Sequence, residues 1–183
     1  VVKSSKELVE VVLANSHTHI EWVKVNGEVV FENSLDKEDK TSADFLKKMT
    51  FKEIREICET IPLEELNFIE DGIEMNKRAA KRGMEEGKGL KIGATFTKLQ
   101  GEGKLCADAP TQARILTAAA ADIRMGGGDC PIMTSGGSGN QGLGVVLPIT
   151  VVAEENNMDR ESTIRAIFFA HLINKYVKIY TGK

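Results

Sequence analysis

The chain has 183 residues with 27 acidic against 24 basic side chains, a formal charge of −3, and 42% hydrophobic residues, the size and composition of one globular domain with a core of its own. A nucleic-acid face needs clustered Lys and Arg, whereas here bases and acids are interleaved, and no stretch is long enough to span a bilayer, the longest apolar one being Leu143 to Ala153 with Pro148 inside it. Nucleic acid and membrane are therefore excluded as expected partners.

In chain order, Val9 to Leu13 is a β-branched run, and from His17 to Val25 the residues alternate, with Ile20 and Trp22 on one face and Val23 and Val25 on the other. Asn26-Gly27 follows, then Val29, Val30 and Phe31; Asn-Gly between two such runs predicts a hairpin with a type I′ turn. Residues 35–44 are charged and polar, a surface connection. Thr50 to Glu53 matches a capping box, ahead of a stripe of Phe51, Ile54, Ile57, Cys58 and Ile61. A second helix, opened by Pro62, carries Leu63, Leu66, Ile69, Ile73 and Ala80 and should end near Gly83, Gly87 and Gly89. A short helix holds Ile92, Phe96 and Leu99. Asp108 is the expected N-cap of a helix through Ile123, whose run Ala118 to Ala121 lets another backbone approach closely. A last helix, capped by Asp159 or Ser162, runs through Ile179. The fold class is α+β: a small antiparallel N-terminal sheet packed with a predominantly helical remainder, one domain over residues 1–183.

Between two of these helices lies Met125 to Gly142, with seven glycines, leading directly into the apolar run from Leu143. Glycine is entropically costly to order, so a glycine segment before the most apolar helix needs a reason other than packing. Its physical use is a bare backbone close to a ligand, followed by a helix whose first amides are unpaired and whose dipole favours an anion. The substrate-binding candidates are Ser135, Gly136, Gly137, Ser138, Gly139, Asn140, Gln141 and Gly142, with Arg124 at the end of the preceding helix. The bland alternative is a flexible Gly/Ser connection. The segment matches neither GxxxxGK[ST] nor GxGxxG after a strand, so a small carboxylate or phosphate fits better than a nucleotide.

Elsewhere, His17 and His19 share one strand face, a geometry open to metal or to an ordinary site wall, and no third ligand is visible. His17 and Thr18 are the candidates for proton transfer or wall groups. His171 reads as a packed or partly exposed helix residue, and Cys58 as core. Cys106 and Cys130 could carry reactive thiols. Asp122 and Arg124 could pair at a helix end or serve a ligand. Cys58, Cys106 and Cys130 are scattered and odd in number, which points to a reducing, cytoplasmic compartment.

Thr111 to Asp122, Arg124-Met-Gly-Gly, Met133 to Gly142 and Pro148 to Glu154 together resemble the L-cysteine desulfidase and L-serine dehydratase alpha-chain family. Ser16 to Ile20 and Lys104-Leu-Cys106 resemble its desulfidase-like branch. The resemblance implies a 4Fe-4S lyase that eliminates the β-substituent of a small amino acid, L-cysteine or L-serine, to give pyruvate and ammonia, with sulfide from cysteine. Family members hold the cluster with cysteines in a Gly-Cys-Thr-Glu-Pro segment near the N-terminus and near the C-terminus, and neither region occurs here. The expectation is an internal portion of a longer catalytic chain that binds no metal or cluster alone, is inactive alone, and contributes the substrate-carboxylate cradle. A homo-oligomer is compatible with this reading. The rivals are a non-catalytic module for a small anion and a structural fragment. The general base and the choice of amino acid are not readable from these residues.

Overall fold

Asn26 and Gly27 adopt φ of 52° and 89°, both positive as a type I′ turn requires, and the Asn26 Oδ1 accepts the Leu8 amide at 2.8 Å. The computed structural model describes residues 2–3, 6–14, 19–33 and 45–181, and its contacts fall into two compact units, Val1–Thr41 and Ser42–Lys183. In the first unit, strands β1 (Val2–Lys3), β2 (Leu8–Leu13), β3 (Ile20–Val25) and β4 (Glu28–Glu32) form one antiparallel sheet in the order β1-β2-β3-β4. Val9 faces Val25 and Val11 faces Val23, so β-branched side chains meet across the pair. The Lys24 ammonium lies 4.4 Å from the centre of the Trp22 ring, a cation–π contact on the same strand. The predicted hairpin is present, with one more strand pair before it than the alternation revealed.

The second unit is helical. Helix α1 (Phe51–Thr60) starts at the expected capping box, with the Thr50 amide donating to Glu53 Oε2 at 2.7 Å and the Glu53 amide to Thr50 Oγ1 at 3.3 Å. The expected second helix is in fact two pieces: a 3₁₀ turn (Leu63–Leu66) and α2 (Phe68–Glu86), which ends at Gly87 in the left-handed conformation. Helix α2 passes through Gly83 without breaking, and a Cβ there would lie 1.8 Å from the Ala119 carbonyl oxygen. The glycine is spent on helix contact rather than on a terminus. Helices α3 (Ile92–Gly101) and α4 (Ala109–Met125) follow, the latter capped by Asp108, whose Oδ1 accepts the Thr111 amide at 2.9 Å. Gly93 of α3 also rests on Ala119, so the alanine run admits neighbours on two sides.

Helix α5 (Gly139–Glu155) contains Pro148 and continues through it. Its Leu143 and Leu147 pack with Ala79, Ala80, Ala120 and Ile123, while Val146 packs with Leu66, Ile69, Ile164 and Ile167. Helix α5 is thus covered by α2, α4 and α6 (Arg160–Thr181). Asp159 caps α6, accepting the Ser162 amide at 2.8 Å. Arg165 of α6 donates to the carbonyls of Cys58 and Ile61 at 2.6 and 3.0 Å and so satisfies the open end of α1. Burial pushes the neighbouring Cys58 thiol up to about 11, consistent with a core residue. No helix among the described residues is long and apolar enough to cross a membrane.

Candidate functional site

The glycine segment closes on itself before it enters α5. Ser135 and Ser138 exchange both backbone hydrogen bonds, each at 3.0 Å, around Gly136 and Gly137 at φ of 53° and 80°. This is a second two-residue turn of the primed type, open to glycine at both central positions. Ser138 is then the N-cap of α5: its hydroxyl accepts the Gln141 amide at 3.4 Å and its carbonyl accepts the Gly142 amide at 3.0 Å. The amides of Ser135, Ser138, Gln141 and Gly142 are therefore engaged internally. Those of Gly136, Gly137, Gly139 and Asn140 have no partner among the described residues. The last two form the first turn of a 17-residue helix, where the dipole favours an anion.

Arg124 supplies the charge beside that helix end. A Cβ on Gly139 would lie 2.5 Å from the Arg124 Nε and 2.8 Å from its Cζ, so the guanidinium lies directly on the glycine. Arg124 Nη1 donates to Asn140 Oδ1 at 2.9 Å and approaches the exposed Met125 sulfur at 3.2 Å. With the Asn140 oxygen taken by Arg124, its Nδ2 directs one N–H to the Met125 sulfur at 3.9 Å and keeps the second to donate elsewhere. Asp122, two residues earlier, does not pair with Arg124. Its buried carboxylate accepts the Gly93 amide at 3.0 Å and caps α3 from a neighbouring helix.

Two helices hold the segment. From α2, the fully buried Asn76 accepts the Met133 amide at 2.9 Å and donates to the Gly142 carbonyl at 3.4 Å. A Cβ at Gly142 would lie 2.0 Å from the Met133 carbonyl oxygen, so these two passes of backbone touch. From α6, His171 Nδ1 lies 2.9 Å from the Ser135 Oγ and Asn174 Nδ2 donates to the same oxygen at 2.8 Å. Asn174 also reaches Gln141 Oε1 at 3.4 Å, and Lys178 Nζ donates to the Gly136 carbonyl at 2.9 Å.

Of the predicted site residues, Arg124, Gly139 and Asn140 are brought together, Arg124 and Asn140 exposed and Gly139 buried against the guanidinium. Ser135 differs from expectation: it is 1% exposed, and its hydroxyl is held between His171 and Asn174, so it anchors the loop from inside instead of facing a ligand. Gln141 is exposed, and its side-chain oxygen is oriented by Asn174. His17 and Thr18 lie outside the described residues, and His19 pairs with Glu21 at 3.3 Å. His171 is the partly buried helix residue expected, but its contact with the segment, and the roles of Asn174, Lys178 and Asn76, went unread in the sequence. They carry a visible signal nonetheless, since each continues an apolar stripe: Ile164 and Ile167 lead to His171, Asn174 and Lys178, and Ile69 and Ile73 lead to Asn76.

The cysteines do not gather. Cys58 is buried, Cys106 exposed and Cys130 half-buried, all as free thiols, and no group of three or more His, Cys, Asp or Glu side chains among the described residues could hold a metal ion. The ligand set of an iron–sulfur cluster does not fit these residues.

The family model described as serine dehydratase alpha chain matches residues 4–183. Among curated proteins, a UPF0597 protein of Clostridium botulinum (strain Okra / Type B1) is 57% identical over 183 residues, covering 100% of this chain and 42% of the relative. A UPF0597 protein of Caldanaerobacter subterraneus subsp. tengcongensis is 38% identical over 184 residues, 99% of this chain and 42% of the relative. A UPF0597 protein of Desulfotalea psychrophila is 35% identical over 190 residues, 100% of this chain and 44% of the relative. The chain thus spans less than half the length of these relatives. No solved structure matches it.

Proposed function

This chain belongs to the serine dehydratase alpha chain family, and from that premise we propose that its glycine segment is the carboxylate cradle of a lyase that eliminates the β-substituent of L-serine or L-cysteine. The observation that carries the reading is the pair of unpartnered amides at Gly139 and Asn140, facing the same helix end on which the Arg124 guanidinium is seated. A carboxylate placed there meets two N–H donors, the helix dipole, a fixed cation and the Asn140 Nδ2.

β-Elimination removes the Cα proton and expels hydroxide or hydrosulfide from Cβ, leaving an aminoacrylate that rearranges to an imine and is hydrolysed to pyruvate and ammonia. Charge that develops at Cα is delocalised toward the carboxylate. Donors aimed at that carboxylate therefore stabilise the transition state more than the ground state. The cradle also fixes which face of Cα is presented to a base. His17 and Thr18 remain the proposed wall or proton-transfer groups. A 4Fe-4S cluster, in this reading, is held by parts of the full-length protein other than the three cysteines of this chain, and no step is assigned to it.

The test is an anaerobic assay of the full-length protein, reconstituted with iron and sulfide, for pyruvate from L-serine and for pyruvate and sulfide from L-cysteine. Asn140→Ala is expected to lower turnover about 100-fold, the scale seen when one donor to a developing negative charge is removed, with little change in melting temperature. Equal loss of turnover and stability contradicts the cradle. Binding of the amino acids without turnover favours the rival anion-binding module.

A further inference from the structure

The Ser135 oxygen has two neighbours, and their chemistry fixes its proton. Asn174 presents Nδ2 to two oxygens at once, Ser135 Oγ at 2.8 Å and Gln141 Oε1 at 3.4 Å, so the amide is oriented as a donor to both. The Ser135 hydroxyl thereby receives one hydrogen bond and has its own proton to place. Among the described residues, the one acceptor in reach is His171 Nδ1 at 2.9 Å. A proton on Nδ1 would fill the second lone pair of that oxygen and strand the hydroxyl proton, whereas a neutral His171 with its proton on Nε2 accepts it.

We propose that His171, acting through the Ser135 hydroxyl as a neutral imidazole protonated on Nε2, is the positioning residue that aims the first amides of α5. The chain of connection is short. His171 and Asn174 fix Ser135, Ser135 exchanges both backbone bonds with Ser138, and Ser138 is the N-cap whose conformation sets Gly139 and Asn140. Lys178, two helical turns beyond His171, ties down the carbonyl of Gly136 in the same turn. The three polar residues lie 3 and 4 positions apart, one face of α6 turned toward one hairpin. The His171 Nε2 is buried with no hydrogen-bond partner among the described residues. A buried N–H donor left open is costly, so a purely structural requirement would be met more cheaply by a glutamine or leucine. What the imidazole supplies that these do not is a rigid acceptor for the serine proton.

The first test reads the imidazole directly in the full-length protein, by ¹⁵N NMR of the histidine ring at neutral pH. The expected spectrum has an unprotonated Nδ1 and a protonated Nε2; a proton on Nδ1, or a doubly protonated ring, overturns the assignment. The second test is amide hydrogen exchange at Ser135, Ser138, Gln141 and Gly142, the amides that the turn and the cap engage. His171→Ala is expected to speed it about tenfold, the loss of one internal hydrogen bond, and His171→Asn, whose Oδ1 can occupy the Nδ1 place, is expected to restore most of the protection. Unchanged exchange in His171→Ala, or no difference between the two variants, overturns the positioning role. Should His171→Ala fail to fold, Ser135→Ala removes the same proton and is expected to give the same exchange increase. Both readouts are independent of what the loop binds. The role rests on the cradle reading only in the consequence for catalysis, where His171→Asn should retain turnover that His171→Ala loses. A correct ring state and exchange pattern without that split would sink the cradle and leave the positioning standing.

Discussion

Two turns in this molecule share one backbone conformation and differ in everything around it. Asn26 and Gly27 have φ of 52° and 89°; Gly136 and Gly137 have φ of 53° and 80°. At Gly27 a Cβ would meet nothing within 4 Å, whereas at Gly136 it would lie 2.8 Å from the Lys178 side chain. The first turn joins two strands and its sequence, Asn-Gly, is sufficient reason for it. The second is fastened by three side chains of α6 and opens onto a helix end with unpartnered amides. A turn that only reverses the chain needs suitable residues, while a turn that aims something needs walls.

The comparison breaks most sharply where the walls are backbone. Gly142→Ala forces a Cβ to 2.0 Å from the Met133 carbonyl, and a loss of about 3 kcal/mol is expected in chemical denaturation, at the upper end for overpacking. Gly27→Ala has no such neighbour and is expected to cost only about 1 kcal/mol, from the left-handed backbone alone. Gly136→Ala should cost a similar amount in stability but lower turnover about tenfold, because it displaces Lys178 as well as straining φ. If the two alanine variants affect turnover equally, the difference between the turns has no functional content.

A smaller effect follows from His171. Burial, with no charged neighbour contributing, holds its pKa below the ordinary 6.5. Between that lowered value and 6.5 the unfolded chain takes up a proton that the folded chain refuses. Folding stability is therefore full above pH 6.5 and falls as the pH drops through that window. Denaturation midpoints of the wild type and His171→Asn, measured from pH 7.5 down to 5, should converge as the pH falls. Parallel curves would show that His171 is not the group responsible.

What was legible in the sequence was what local chemistry decides. Asn26-Gly27, the Thr50 to Glu53 box, the Asp108 cap and the glycine segment each announce themselves through residues adjacent in the chain. What stayed hidden depends on partners far away. Gly83 reads as a helix end because glycine is a poor helix residue, and only the closeness of Ala119 explains why it is kept mid-helix. Asp122 and Arg124 look like a pair two apart on one helix, and the fold sends one to α3 and the other to α5. His171 looks like any polar helix residue until Ser135, 36 positions away, is placed beside it. The readable trace was the apolar stripe of α6 turning polar without changing its spacing.

The central claim is that the α5 entrance, and not merely any glycine turn, receives the carboxylate of a small amino acid. Titration of the ¹⁵N-labelled full-length protein with L-serine, followed by amide chemical shifts, tests it most directly. The account predicts saturable shifts at Gly139 and Asn140 with Asn26 and Gly27 unmoved. Shifts absent from Gly139 and Asn140 at saturating turnover would contradict it.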